Sequence, residues 1–413
     1  MTDINEKDLL GLIEEVKHER ISRKQFVYRA LGLGLSASAV GGILAACGKK
    51  DSGGTTAETN TIGETTKPAE MYLYNWSDYM PASVKKDFEK ETGIKVVETF
   101  FDDNEALLAK LKAGATGYDV CVPSDYMAHI MIMTGLLEPL VMEYIPNFAN
   151  VDSQFRDPMP RYDDPASPEN KGNQFTIPYQ WGTTGIGVRT DKTDAAAITA
   201  WSNLWDANLK GQIQMLNDER ETPGAALMMT GVRDSGKPYS INTLSQTELD
   251  AATQSLIDQK PLVRAYDSVN MKRSMVSGTT LTHCWNGDVL MAIDALGGYD
   301  NAKNAALLKY VLASEGVPLW TDTMCIPTGF RNKYGAHLWL DYTLRPEVQA
   351  KISSWTWYLP VMIEPATNAT PPLDPFVLTT VPTAEEVARS ELYDDIGDFS
   401  RAYTDAWSKV KSS

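Results

Sequence analysis

From Met71 onward, short apolar runs alternate with segments whose hydrophobic positions recur at helical spacing. Met71 to Asn75 is a strand-like run that ends on Trp76-Ser77-Asp78-Tyr79. Ala82 to Glu91 places Val84 and Phe88 one turn apart and stops at Gly93, the pattern of an amphipathic helix with a glycine C-cap. Ile94 to Phe100 is the next strand. Asn104 reads as the cap of a helix whose Leu107, Leu108 and Leu111 form an apolar stripe, ended by Gly114. Asp119 to Val122 has the character of a buried strand and leads into Pro123-Ser124. Thr176 to Tyr179 and Gly185 to Arg189 read as two strands, with Trp181-Gly182-Thr183-Thr184 between them. Gln212 to Leu216 runs through Asp218 to Glu221 into a helix from about Thr222. Leu281 to Trp285 meets a helix at Asn286-Gly287-Asp288, and Trp320 to Ile326 is a further strand. The segment from Ser390 reads as a helix with Leu392, Ile396, Phe399 and Tyr403 on one stripe. There is no internal repeat, and the alternation predicts an α/β architecture.

The first 70 residues break this pattern. Ser22-Arg23-Lys24-Gln25-Phe26 precedes an apolar and small stretch from Ala30 to Ala46, which ends Leu44-Ala45-Ala46-Cys47-Gly48. The stretch is weakly hydrophobic and slightly short for a spanning helix. Residues 1–46 therefore read as an export signal, the competing reading being a retained anchor helix. Residues 47–70 are rich in Gly, Ser, Thr and Glu and read as a flexible tether. Leu-Ala-Ala-Cys-Gly resembles a bacterial lipobox, which implies a lipid on Cys47. Ser-Arg-Lys-x-Phe resembles a twin-arginine signal with Lys in place of the second Arg. Together they imply a protein lipid-anchored outside the cytoplasm, in the periplasm or at the outer face of the cell membrane.

A chain of 413 residues exceeds one ordinary core, so two lobes or domains are expected. With 43% hydrophobic and 22% charged residues it has the composition of a soluble globular protein. The net charge of −16 belongs wholly to the part after residue 46, since the first 46 residues carry six acids and six bases. Such a balance argues against nucleic acid and against anionic lipid surfaces, and it draws cations. Cys121, Cys284 and Cys325 are flanked by apolar or strand-like residues and read as core residues, with neither a disulfide framework nor a zinc pattern. The four histidines are scattered, and no metalloprotease, P-loop or nucleophile-elbow motif occurs. Gly185-Ile186-Gly187 is a lone Gly-x-Gly. A non-enzyme without metal or cofactor is expected.

Acidic and aromatic residues recur at the predicted strand ends: Trp76, Ser77, Asp78 and Tyr79; Ser124 and Tyr126; Asp218 and Glu221; Trp285 and Asp288; Trp320 and Asp322; and Tyr358. Ligands of open α/β sheets bind at the carboxyl ends of the strands. Taken singly, Trp285 and Trp320 suit a core, Asp218 and Asp288 suit helix caps, and Asp78 suits a turn. Taken together, they point to a site. Carboxylates hold ammonium groups by charge-assisted hydrogen bonds, and aromatic faces cover methylenes and attract cations. The set suits an alkyl diamine or triamine.

Several ordered stretches resemble the periplasmic polyamine-binding proteins, the solute-binding components of polyamine ABC transporters. They are Tyr72-Leu73-Tyr74-Asn75-Trp76-Ser77-Asp78-Tyr79, Glu89-Lys90-Glu91-Thr92-Gly93-Ile94-Lys95-Val96 and Tyr118-Asp119-Val120-Cys121-Val122-Pro123-Ser124. Ile177 to Gly187, Trp285-Asn286-Gly287-Asp288-Val289, Glu315-Gly316, Trp320-Thr321-Asp322 and Leu344-Arg345-Pro346-Glu347-Val348 continue in order. The resemblance implies a two-lobed, type II-like periplasmic-binding-protein fold. Lobe one would be 71–180 plus 321–366, and lobe two 181–320 plus 367–413, with hinge closure on a ligand between them. Trp76, Ser77 and Tyr79 would line one wall with Asp78 nearby, and Ser124 and Tyr126 would add polar contacts. Glu221, with Asp218 beside it, would meet one ammonium, and Asp322 with Asp288 another. Ser268 would add a polar contact, while Trp285, Trp320 and Tyr358 would box the carbon chain. Asp288 resembles putrescine binders and Trp320 spermidine binders, and Tyr393 stands where spermidine binders tend to have Gln. The implied function is capture of putrescine or spermidine by a monomer and delivery to an ABC import permease. Alternatives are a receptor that feeds a sensory system, and a surface-anchored hydrolase working through paired carboxylates, for which no nucleophile–base constellation is visible.

Overall fold

The computed structural model describes residues 65–156, 175–298 and 301–413. The export segment, Cys47 and the tether as far as residue 64 lie outside the described residues. The last tether residues already belong to the fold: Asn332 Nδ2 donates to the Thr66 carbonyl at 3.3 Å, and the first strand starts at Glu70.

Eleven strands are described: β1 Glu70–Trp76, β2 Lys95–Phe101, β3 Val120–Cys121, β4 Thr176–Arg189, β5 Ile213–Met215, β6 Val263–Tyr266, β7 Leu281–Trp285, β8 Leu308–Val311, β9 Pro318–Cys325, β10 Leu359–Pro360 and β11 Glu391–Leu392. Their main path runs β2-β1-β3-β9-β4-β7-β5-β6. In the first half, β1 pairs in parallel with β2 and β3, and β9 runs antiparallel to β3 and to Thr176–Thr183 of β4. From Thr184 onward β4 changes partners, pairing antiparallel with β7 and β8, while β5 pairs in parallel with β7 and β6. One strand thus runs through both halves.

Three sequence expectations need correcting. The two strands around Trp181 are one strand of 14 residues, because its first half finds a partner in β9 and its second half in β7. Gly182 permits the passage: a Cβ there would lie 2.2 Å from Asn286 Oδ1 and 2.6 Å from the Trp320 ring. Asn104 is not the cap of its helix. Asp103 caps it by accepting the Ala106 N–H at 2.6 Å, while the buried Asn104 side chain turns to Ser124. The C-terminal helix starts at Ser400, not Ser390. Before it, Glu391 and Leu392 pair with β9, and Gly397 takes a left-handed φ of 54°.

Other readings hold. The Ala82–Thr92 helix ends on Gly93 at φ 79°. It buries Val84 and Phe88, and the Phe88 ring meets Trp339 edge-on at 5.0 Å. Cys121, Cys284 and Cys325 are all buried. The first and last of these face each other across β3 and β9 with sulfurs 3.3 Å apart, a proximity their sequence spacing does not reveal. Among the described residues no helix is long and apolar enough to cross a membrane.

Candidate functional site

Strands from both halves end on one cleft. On one side β1 delivers Trp76 and the turn Ser77–Tyr79, β2 delivers Phe101 and Asp102, and β3 leads to Ser124 and Tyr126. On the other side β5 leads to Asp218 and Glu221, β6 to Ser268 and Lys272, and β7 to Trp285 and Asp288. Trp320 and Asp322 come from β9, and Tyr358 immediately precedes β10. The cleft encloses about 1000 Å³ including its open mouth. It is lined by six carboxylates against two cationic side chains, with eight aromatic rings.

All fourteen residues singled out from the sequence line this cleft: Trp76, Ser77, Asp78, Tyr79, Ser124, Tyr126, Asp218, Glu221, Ser268, Trp285, Asp288, Trp320, Asp322 and Tyr358. Phe101, Asp102, Asn104, Arg220, Val269, Lys272 and Met291 line it too without standing out in the sequence, and so does Tyr393, which stands where spermidine binders tend to have Gln. Phe101 to Asn104 could have been found, since they follow a strand end like the others. Lys272 and Arg220 carry the same sign as a cationic ligand, so ligand chemistry does not single them out in the sequence.

Asp322 is buried with both oxygens occupied: Tyr79 Oη donates to Oδ2 at 2.7 Å and Ser124 Oγ to Oδ1 at 2.6 Å. Asn104 steadies that serine, donating to its Oγ and accepting its N–H, each at 3.1 Å. Burial pushes the Asp322 carboxyl up to about 7, against the pull of its two hydroxyl donors. A carboxylate here is desolvated but held by neutral donors, so it has an unmet appetite for positive charge.

Glu221 repeats the design across the cleft, in the first turn of the Glu221–Ser235 helix. Thr184 Oγ1 and Trp285 Nε1 donate to Oε1, each at 3.0 Å, and Tyr393 Oη donates to Oε2 at 2.9 Å. Burial first, and Asp218 second, push its carboxyl up to about 8. Asp218 does cap the turn, as its ordinary role would have it. Its Oδ1 accepts the N–H groups of Arg220 and Glu221 at 2.8 Å. It also faces Glu105, whose carboxyl accepts the Tyr126 hydroxyl at 3.1 Å and is raised by burial and then by Asp218.

Asp288 lies in the first turn of the Asn286–Ala295 helix rather than at its cap, and is 3% exposed. Burial raises its carboxyl, and Lys272 is the largest influence lowering it. The Lys272 ammonium is 3.8 Å from Asp288 Oδ1 and 3.3 Å from Oδ2 of Asp78 on the opposite wall. Asp78 sits in its turn at φ 54°.

Between these acids the aromatic rings form walls. Tyr358 meets Tyr79 at 5.4 Å and Trp320 at 5.4 Å, both edge-on, and Tyr79 meets Tyr179 in the same way. Such edge-to-face packing fixes the ring planes. Trp76 is tied down by its indole N–H to the Val122 carbonyl at 2.8 Å. Arg220 lies over the rings of Tyr126 and Tyr393, each at 5.1 Å, and donates to Asn242 at 2.9 Å, so its charge is spent on positioning those rings. Ser268 accepts the Asn217 N–H at 3.0 Å and so shapes the loop next to Asp218. Among the described residues, no group of three or more His, Cys, Asp or Glu side chains is arranged to hold a metal ion.

Comparison with known proteins fits this geometry. Residues 83–375 match the family model of the bacterial extracellular solute-binding proteins. The spermidine/putrescine-binding periplasmic protein of Salmonella typhimurium is 32% identical over 347 residues, 83% of this chain and 91% of that protein. A solved Listeria monocytogenes protein, provisionally named a spermidine/putrescine ABC transporter, superposes with a TM-score of 0.73 at 30% identity, over 83% of this chain and 99% of its own. The Tp0655 lipoprotein of Treponema pallidum gives 0.67 at 27% identity, over 83% and 99%. The fold is the two-lobed substrate-binding fold of these neighbours. The chain belongs to the bacterial extracellular solute-binding protein family, alongside its periplasmic spermidine/putrescine-binding members.

Proposed function

We propose that this protein captures a polyamine outside the cytoplasm and delivers it to an ABC import permease, without chemical turnover. One observation carries the reading: Asp322 and Glu221 are buried on opposite sides of an aromatic cleft, each held by neutral donors, and among the described residues neither forms an ion pair with a Lys, Arg or His side chain. Ammonium groups supply the charge that such carboxylates need, and the rings of Trp285, Trp320 and Tyr358 match the methylenes between them. Trp76, Ser77, Tyr79, Ser124, Tyr126 and Ser268 complete the walls, with Asp78, Asp218 and Asp288 adding negative potential. The names of the relatives support the same ligand class.

In this reading lobe one is 71–180 plus 321–366 and lobe two is 181–320 plus 367–413. Closure bends the chain near Thr183-Thr184, where β4 changes partners. Cys47 carries a lipid that holds the protein at the membrane, as the lipoprotein status of the Treponema pallidum neighbour suggests. The test is calorimetric titration of the protein with putrescine, spermidine and spermine. Micromolar or tighter binding of at least one, about −8 kcal/mol or better, is expected. Failure to bind any of them sinks the reading.

A further inference from the structure

The carboxylates of the cleft fall into three settings by their partners: Glu221 with Asp218 beside it, Asp322, and Asp288 facing Asp78 across Lys272. The first two are held by hydroxyl, indole and amide donors. The third differs. There the Lys272 ammonium stands between the two lobes, 3.3 Å from Asp78 and 3.8 Å from Asp288. A triamine carries three ammonium groups and a diamine two. We propose that Lys272 is a built-in cation that occupies the third ammonium position, so that the cleft selects a diamine over a triamine.

An exposed lysine–aspartate pair would carry little weight, because water screens it. This pair differs at one end. Asp288 is 3% exposed, and its Oδ2 is buried without a hydrogen-bond partner among the described residues. A buried carboxylate needs a positive partner, and Lys272 is the cationic side chain that reaches it. The lysine comes from the short helix after Ser268, its side chain is 26% exposed, and its stem can lie along the cleft mouth while its charge points inward. A third ligand ammonium directed to Asp288 would meet the lysine charge at contact distance, an arrangement that like charges resist. A diamine that spans Glu221 and Asp322 meets no such obstacle.

This inference rests on the polyamine reading, and the experiment separates the two. Putrescine and spermidine are titrated into the unaltered protein, Lys272→Met and Lys272→Arg. The unaltered protein should bind putrescine at least roughly tenfold more tightly than spermidine. Lys272→Met should shift that ratio toward spermidine by roughly tenfold or more, while Lys272→Arg, which keeps the charge, should leave it within about threefold. A ratio unmoved by Lys272→Met, or an unaltered protein that prefers spermidine, overturns the inference while the polyamine reading stands. If none of the three proteins binds either amine, both fall together. Thermal melts of the ligand-free variants check that each is folded, so that a lost signal is not mistaken for lost specificity.

Discussion

Glu221 and Asp288 both sit in the first turn of a buried helix and both face the same cleft, yet their surroundings differ in kind. Glu221 is surrounded by three neutral donors that fix its oxygens and leave its charge uncompensated. Asp288 has the Tyr358 hydroxyl and, in addition, a lysine within reach. Hydrogen-bond donors set geometry, whereas a cation sets charge. A carboxylate given only the first is prepared for a cationic ligand, and a carboxylate given the second is already partly answered. Asp322 belongs with Glu221 on this division, since Tyr79 and Ser124 hold it without neutralising it.

The comparison can be broken most easily at Asp322. Asp322→Asn keeps the shape but removes the charge, and should weaken diamine binding by about 2–5 kcal/mol, as truncating one member of a buried charged pair does. A loss below about threefold in calorimetry would remove Asp322 from the ligand's contacts. The donors around Glu221 come next. Trp285→Phe keeps the ring but takes the indole N–H from Oε1, and should weaken binding by about 1.5 kcal/mol, the scale of one hydrogen bond to a charged group. Unchanged affinity would mean that this bond does not orient the carboxylate. Asp288→Asn should matter less, about 1 kcal/mol for a diamine, because Lys272 already answers that charge. A loss as large as that of Asp322→Asn would erase the distinction between the two positions.

The comparison also bears on stability, and the sign of that effect is fixed by the direction of the shifts. Burial raises Asp322 to about 7 and Glu221 to about 8, so the folded protein favours their neutral forms. Their contribution to stability is complete below the ordinary carboxylate range and is lost as pH rises through about 7 and about 8. The ligand-free Tm should therefore fall between pH 5 and pH 8.5, and the ligand-induced rise in Tm should grow over the same interval. Asp322→Asn should flatten both trends. A ligand-induced shift that is the same at pH 5 and pH 8.5 would separate these two carboxyls from binding.

Much of this cleft is legible in the sequence, for a physical reason. Strand ends in an α/β sheet converge, so acids and rings at Trp76–Tyr79, Ser124–Tyr126, Asp218–Glu221 and Trp285–Asp288 could be expected to meet, and they line one cleft. Turn chemistry was legible where a glycine at positive φ marks the stop, as at Gly93. Partner choice was not. That β4 is one strand depends on β9 and β7, which come more than a hundred residues later for much of their pairing. The start of the C-terminal helix depends on β11 lying against β9, which no local periodicity announces. Asn104 has the composition of a cap but spends its side chain on Ser124, a contact fixed by tertiary packing. Lys272 was missed because its meaning comes from Asp78 and Asp288 on opposite walls, and only the fold brings the three together.

The central claim is that ligand ammonium groups take the place of protons on Asp322 and Glu221. Calorimetric titration with putrescine at pH 7, repeated in two buffers of different ionisation enthalpy, counts the protons exchanged on binding. With those carboxyls near 7 and 8 in the ligand-free protein, the account predicts release of roughly one proton per ligand bound. Binding with no net proton release would contradict it.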